Sequence, residues 1–361
     1  MGFTLGKMFR LTVFGESHGK GVGVVVDGCP PGLKLDLEEL QKDMDRRRPG
    51  QSMVVSLRKE EDLVQVMSGF YNDRTTGGPL TLYTENTDVQ SGTYSDVAVK
   101  PRPSHLDYTA HLRYRGYFDY RGGGFLSGRI TAPMVMGGSV AKQALREIGV
   151  KVHAYIVRLG QISLPRSPTP EELEAVYESP VRCPVADVGK QMEDAVMEAR
   201  KQGDSLGAVV ECIAEGVPAG YGDPVFDSVE SQISSAMYSI PAVKGVEFGA
   251  GFKISEIRGS EANDEFYVSG GRVLTRTNNN GGVLGGITTG MPVVFRVAFK
   301  PTASIPKPQN TVNLETMTNE TITVKGRHDP CVAIRGTIVV ENLAAAVLAD
   351  VLYPELYNHR F

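Results

Sequence analysis

Apolar positions near the start of the chain fall in short β-like runs. Phe9 to Phe14 reads as a strand that ends in a glycine turn at Gly15. Val22 to Val26 reads as a second strand, closing at Asp27-Gly28-Cys29-Pro30-Pro31-Gly32. The period then changes: Asp36 can cap a helix whose Leu37, Leu40 and Met44 share one face, and Pro49-Gly50 stops it. Val54 to Leu57, Leu63 to Tyr71 and Leu80 to Glu85 return to strand-like patterns, whereas 100–129 reads as irregular, basic and rich in Gly and Tyr.

The second half predicts helices at Thr131 to Ile148, Val188 to Gln202, Asp227 to Tyr238 and Ile338 to Leu352. Gly137-Gly138, in the middle of the first, marks a point of close packing. Strand-like runs at Ala208 to Val217, Val246 to Ile257 and Val293 to Phe299 separate them. The order is not a strict βαβα alternation, so the expected class is α+β with an extensive sheet. No low-complexity linker, solenoid period or domain boundary interrupts 1–361, which reads as a single large domain.

Composition narrows the function. Of the 361 residues 41% are apolar and 22% charged, which excludes disorder. The 41 glycines are about 11% of the chain against a usual 7% or so, and they cluster without a collagen period. They point to tight backbone sites. The net charge of −4 gives no basic field for nucleic acid. Four scattered cysteines without C-x-x-C suit a reduced, cytoplasmic protein. There is no secretory h-region at the N-terminus and no apolar run long enough to span a bilayer, so no membrane partner is expected.

Candidate chemistry lies in five places. Gly15-Glu16-Ser17-His18-Gly19 fits the G-x-S-x-G pattern of a hydrolase elbow. That motif needs a helix after the serine, and a β-branched run follows instead, so His18 is the better candidate, as an acid/base or phosphate contact. Arg46-Arg47-Arg48 closes the first helix, where cations complement the helix dipole or meet an anion. Window 100–129 carries a local net charge of +4, with His105, His111, Gly122-Gly123-Gly124 and Ser127-Gly128-Arg129 leading into a helix start. Such local charge within an acidic protein suits a small anionic ligand. Asn278 to Gly286 reads as a turn or hairpin, and Lys300, Thr302 and Ser304 suit a phosphate-bearing cofactor. Arg327-His328-Asp329-Pro330-Cys331 offers an acid/base pair or a polar turn. No metal-ligand spacing is present.

Taken in order, these segments resemble the chorismate synthase family over nearly the whole chain. The carriers are Phe14-Gly15-Glu16-Ser17-His18-Gly19, Asp45-Arg46-Arg47-Arg48-Pro49-Gly50-Gln51, Glu85-Asn86-Thr87-Asp88, Arg102-Pro103-Ser104-His105-Leu106-Asp107-Tyr108, Asp119-Tyr120-Arg121-Gly122-Gly123-Gly124, Ala242-Val243-Lys244-Gly245-Val246-Glu247, Lys300-Pro301-Thr302 and Gly326-Arg327-His328-Asp329-Pro330-Cys331. The resemblance implies a helical core between β-sheets, assembled as a homotetramer. It also implies a trans-1,4 elimination of phosphate from 5-enolpyruvylshikimate 3-phosphate, giving chorismate. The reaction needs reduced FMN yet has no net redox change.

The same resemblance implies roles. His18 is the acid near the departing phosphate, His105 meets the reduced flavin, and Asp329 assists loss of the C-6 proton, with the flavin as base. Ser17 and Ser127 orient these groups or relay protons. Arg47, Arg129 and Arg327 neutralise substrate carboxylates or phosphate, with Arg47 and Arg327 also placed toward the flavin. Ser127, Gly285, Lys300, Pro301, Thr302 and Ser304 match flavin-binding segments. Three departures stand out. Phe125-Leu126 replaces the usual Arg-Ser after the triple glycine. Ser104 replaces a usual glycine. Met53 stands where some members carry an arginine associated with NADPH, the external or intrinsic reductant, and this weakens the case for an intrinsic reductase.

Overall fold

The computed structural model describes residues 2–51, 54–55, 61–87, 99–324, 326 and 328–361. Its two large sheets are both antiparallel and five-stranded. The first contains β1 (Thr4–Leu5), β2 (Arg10–Gly15), β3 (Gly21–Asp27), β4 (Gln65–Ser68) and β5 (Leu80–Glu85), in the order β1-β2-β3-β5-β4. The second contains β6 (Lys151–Leu159), β7 (Ile162–Ser163), β8 (Ala208–Glu215), β9 (Val243–Phe248) and β10 (Val293–Phe299), in the order β9-β10-β8-β6-β7. β10 alternates buried and half-buried residues along its length, with Val293, Phe295, Val297 and Phe299 turned inward.

Six main helices accompany them: α1 (Leu37–Arg47), α2 (Asp107–Arg113), α3 (Thr131–Glu147), α4 (Ala186–Lys201), α5 (Val229–Tyr238) and α6 (Ala333–Val351). α3 lies on the first sheet, α6 on the second, and the two helices pack on each other, so a helical core sits between sheets. Both helices are buried nearly all round, as the apolar character of their sequences requires. Gly137 and Gly138 let this happen. A Cβ on Gly138 would stand 2.3 Å from the Asn342 carbonyl oxygen of α6, and one on Gly137 would stand 2.8 Å from the Leu11 side chain of β2. The glycine pair therefore serves a helix on one side and a sheet on the other.

Several expected elements differ. Val54 and Val55 lie in a turn, not a strand, and 56–57 are outside the described residues. The run Val246 to Ile257 is a strand only as far as Phe248. Gly249 and Gly251 at positive φ bend the chain into a 3-10 turn over Gly251–Glu256. Window 100–129 contains the helix α2, and Lys151–Leu159 is a full strand that periodicity did not single out. α1 starts as expected. The Asp36 side chain accepts from the Glu38 and Glu39 amides, while its own amide and carbonyl are held by Gln143 of α3 at 2.8 and 3.0 Å.

Candidate active site

A cleft of about 700 Å³ opens between the end of α1, the loops around α2, the entry to α3 and the chain after β10. That volume is within the range of small-molecule sites. Its wall holds Ser17, His18, Arg47, His105, Ser127, Arg129, Lys300, Pro301, Thr302, Ser304 and Asp329, residues that lie far apart in sequence. Gly285 is elsewhere: it turns the small hairpin of Val283–Leu284 and Ile287–Thr288 and does not line the cleft. Arg327 and Met53 are outside the described residues.

The Ser17–His18 turn joins β2 to β3. This strand–turn–strand setting lacks the helix that a serine-hydrolase elbow requires. Two contacts fix the turn from outside. The Ser17 amide donates to the Gly124 carbonyl at 3.1 Å, and the Asn86 side-chain amide donates to the Glu16 and Gly19 carbonyls at 2.8 and 2.9 Å. Gly122, at φ +59°, closes against it: a Cβ there would stand 2.7 Å from Ser17 Oγ and 2.8 Å from His18 Nε2. The first residue of the triple glycine is thus a matter of space as well as backbone conformation.

The Arg46-Arg47-Arg48 run divides into three different settings. Arg46 meets Asp43 at 3.0 Å and lies over the Tyr177 ring, and Arg48 meets Asp45 at 3.3 Å. Arg47 is buried and reaches the cleft wall, where Nη1 meets Asp62 at 3.1 Å, Nη2 donates to the Gly128 carbonyl at 2.7 Å and Nε to Thr131 Oγ1 at 3.0 Å. Arg129 grips the other Asp62 oxygen and donates to Asn86 Oδ1 and the Glu85 carbonyl. Burial raises the Asp62 carboxyl, but Arg47 and Arg129 outweigh it and hold the group below the ordinary carboxylate range.

Asp62 and Asn86 are the two organising residues that sequence reading passed over. Asn86 lies within the Glu85-Asn86-Thr87-Asp88 motif, yet nothing in the sequence shows that it ties the His18 turn to Arg129. Asp62 sits 15 residues from one arginine and 67 from the other. No local spacing announces it.

On the opposite side, Arg102 forms a bidentate pair with Asp107, Nε to Oδ2 and Nη2 to Oδ1, both 2.8 Å, and donates to Ser304 Oγ at 3.3 Å. His105 Nδ1 lies 2.9 Å from Asp107 Oδ1. Ser104, replacing the usual glycine, adopts φ +56°, a left-handed conformation. That conformation explains why glycine suits the position. The Thr302 hydroxyl donates to the Asp329 carbonyl at 2.7 Å, and Asp329 Oδ2 pairs with Arg335 at 2.8 Å, which also donates to the Arg47 carbonyl. The Ser127 hydroxyl accepts from the Arg129 amide at the start of the turn before α3.

Phe125, in place of the usual arginine, points away from this chemistry and packs edge-on against Phe3 and Tyr114, while Leu126 joins the cleft wall. The substitution exchanges a charged contact for an aromatic cluster. Charge in the cleft is nonetheless one-sided. Arg47, Arg102, Arg129, Lys244, Lys300 and Arg335 line it, with Asp329 as its one carboxylate among the described residues. The arginines are matched by Asp62, Asp107 and Asp329, but among the described residues no carboxylate pairs with Lys244 or Lys300. Burial, then the neighbouring Lys244, pushes the Lys300 ammonium below its ordinary value. Leu106, Leu126, Ile240, Pro241, Val243 and Val332 supply an apolar surface beside these cations. A flat, partly apolar ligand with anionic groups, such as FMN, fits this lining; so does a small phosphorylated acid.

Known proteins agree with this geometry. The family model described as chorismate synthase matches residues 9–353. The chain is 48% identical over 349 residues to the chorismate synthase of Korarchaeum cryptofilum, covering 97% of each chain. It is 47% identical over 351 residues to that of Aeropyrum pernix, covering 97% of this chain and 92% of the other. A crystal structure of chorismate synthase superposes with a TM-score of 0.76 at 30% identity, covering 97% of this chain and 93% of that one. The helical core between sheets, the cationic cleft and these near full-length matches lead to one conclusion: the chain belongs to the chorismate synthase family.

Proposed function

We propose that the cleft binds 5-enolpyruvylshikimate 3-phosphate beside reduced FMN, and that its side chains conduct the loss of phosphate and of the C-6 proton that yields chorismate. The observation that carries the reading is the charge imbalance: an apolar wall beside buried arginines and two lysines that have no carboxylate partner among the described residues, which matches a polyanionic substrate and a phosphate-bearing cofactor. Reduced FMN, when bound, supplies electron density to the substrate as the carbon–oxygen bond breaks, so that the overall reaction is redox-neutral.

The chain's own contribution follows from position. His18, in its turn stapled by Asn86 and closed by Gly122, donates a proton to the departing phosphate. Arg47 and Arg129 hold the anionic groups of the substrate in a rigid pair, because Asp62 locks both guanidinium groups before substrate arrives. Arg327, which lies outside the described residues, is a further candidate cation for cofactor or substrate. Lys300, Pro301, Thr302 and Ser304 hold the flavin along one continuous segment, with Ser127 of the same cleft; Gly285, on a hairpin that does not line the cleft, has no contact with it there. Asp329, anchored by Arg335, assists removal of the C-6 proton, and His105 faces the flavin. Ser17 orients His18.

The decisive measurement is anaerobic: protein, substrate and dithionite-reduced FMN, with chorismate and phosphate followed together. Equal release of both is the expected result. Replacing the reductant by oxidised FMN plus NADPH is expected to give no product until a separate flavin reductase is added. Folded, flavin-binding protein that releases neither product would reduce the chain to a noncatalytic binder.

The assembly belongs to the same reading. Phe252, Phe266, Val268 and Val273 stand exposed on neighbouring turn and hairpin segments, an apolar surface that water does not favour. A homotetramer covers such surfaces, and sedimentation velocity should give four times the chain mass. A monomer would overturn it.

A further inference from the structure

We propose that Asp107 is the positioning residue of His105: its carboxylate accepts the Nδ1 proton and so presents the opposite ring nitrogen, Nε2, to the cleft. The inference deepens the reading of His105 given above and rests on it.

The geometry is unusually complete. Asp107 is buried and gathers four donors: the Arg102 amide at 3.0 Å, Arg102 Nε and Nη2 at 2.8 Å each, and His105 Nδ1 at 2.9 Å. The bidentate guanidinium fixes the plane of the carboxylate, so the direction in which Oδ1 meets the imidazole is fixed too. Arg102 is itself buried and tied to Ser304, across the cleft's floor. His105 is only partly buried, and Nδ1 is the ring nitrogen engaged at the wall, 2.9 Å from Asp107 Oδ1 and 3.0 Å from Arg102 Nη2. The bond to Asp107 needs a protonated Nδ1 and leaves Nε2 unprotonated for a ligand, whereas a bond from the guanidinium, which can only donate, needs the reverse tautomer. A histidine held by an acceptor on one nitrogen has a defined tautomer at the other. The backbone cooperates. The left-handed Ser104 and the turn closed by the His105 amide on the Arg102 carbonyl, at 3.2 Å, fold the segment so that residues two apart meet.

Two alternatives set the test. Asp107 is either the partner of His105 or merely the counter-ion of a buried arginine. Nitrogen-15 spectra of the wild-type protein with labelled histidine decide between them without any functional assay. Six histidines are few enough for His105 to be identified by the signal that disappears in His105→Gln. With the ring neutral, His105 should show a protonated Nδ1 and an unprotonated Nε2. The reverse tautomer overturns the inference.

Turnover with reduced FMN provides the second arm. Asp107→Asn should lower kcat by about 10- to 100-fold, with less than about a threefold change in the substrate KM. In a His105→Gln background the same substitution should cost nothing further, because its route of action is gone. Losses that multiply would show that Asp107 only supports the fold, and would overturn the proposal. Full turnover by His105→Gln alone would remove the functional reading of His105, and with it the catalytic half of this inference, whereas the tautomer is read independently.

Discussion

Asp62→Asn is expected to lower kcat/KM by about 100-fold or more and to remove about 3–5 kcal/mol of folding stability, the cost of leaving a buried charge without its partner. The size follows from how much rests on one carboxylate. Its two oxygens hold Arg47 and Arg129 separately, and all three side chains are almost fully removed from water. Asparagine keeps the shape but removes the charge, so two guanidinium groups face each other across a neutral amide in a poorly solvated wall. Their mutual repulsion displaces one or both, and the anion-binding pair is lost as a pair.

The pH dependence gives this prediction a sign. The Asp62 carboxyl is held below its ordinary value in the folded chain, against burial, by the two arginines. Such a group contributes stability that is fully present above the unfolded value of about 3.9 and is lost as pH falls through the lower folded value. The stability gap between wild type and Asp62→Asn should therefore stay constant from neutral pH down to about 5 and close at more acid pH. Urea unfolding at a series of pH values measures it. A gap below about 1 kcal/mol at pH 7, or one that widens on acidification, would refute the account.

What the sequence disclosed depended on how locally each feature is encoded. The α3 and α6 helices were legible because their periodicity needs only neighbours at three and four residues, and Gly137-Gly138 stood out within one of them. The β9 strand was misplaced because its beginning lies beyond Pro241 and a left-handed Ala242, and its end is cut by Gly249, so local apolar content pointed a few residues late. α2 is hidden by its context: a seven-residue helix that carries His111 and Arg113 in its last turn lacks an apolar stripe. The candidate site divides in the same way. Ser17, His18, His105, Ser127, Arg129 and Lys300 sit in dense polar or glycine motifs, and they do line one cleft. Asp62 and Arg335, an acid in a polar stretch and an arginine on an apolar helix, carry no such mark. Their importance is a property of what folding places opposite them.

Lys142→Met should produce the largest loss of stability away from the cleft, about 3–5 kcal/mol by urea unfolding. Lys142 lies inside the helical core, where its ammonium meets Asp43 of α1 at 2.6 Å and Glu341 of α6 at 2.9 Å. The first contact is an ion pair by distance rather than an aligned hydrogen bond. Glu341 is held further by the Tyr177 hydroxyl at 2.8 Å and the Ala154 amide at 3.2 Å, so β6 and the Tyr177 turn join the cluster through Glu341. Methionine fills the space but leaves two buried carboxylates, of which only Asp43 keeps a cation, Arg46. Burial opposes the charge on Lys142, yet Glu341 and Asp43 raise its proton affinity above the ordinary value. Its contribution is therefore fully present below about pH 10.4 and is lost only as pH rises through the higher folded value. Adding Glu341→Gln to Lys142→Met removes one stranded charge and should restore at least about 1 kcal/mol. This non-additivity is the informative part. Where α3 meets α6, Gly138 lies directly against the Asn342 backbone, so no side chain of α3 interlocks there to fix the register. A polar knot joining α1, α3 and α6 does, and α1 ends at Arg47 while α3 begins just past Arg129. If Lys142→Met remains within about 1 kcal/mol of wild type, the register of these helices, and the spacing of the two arginines, must be set by packing alone.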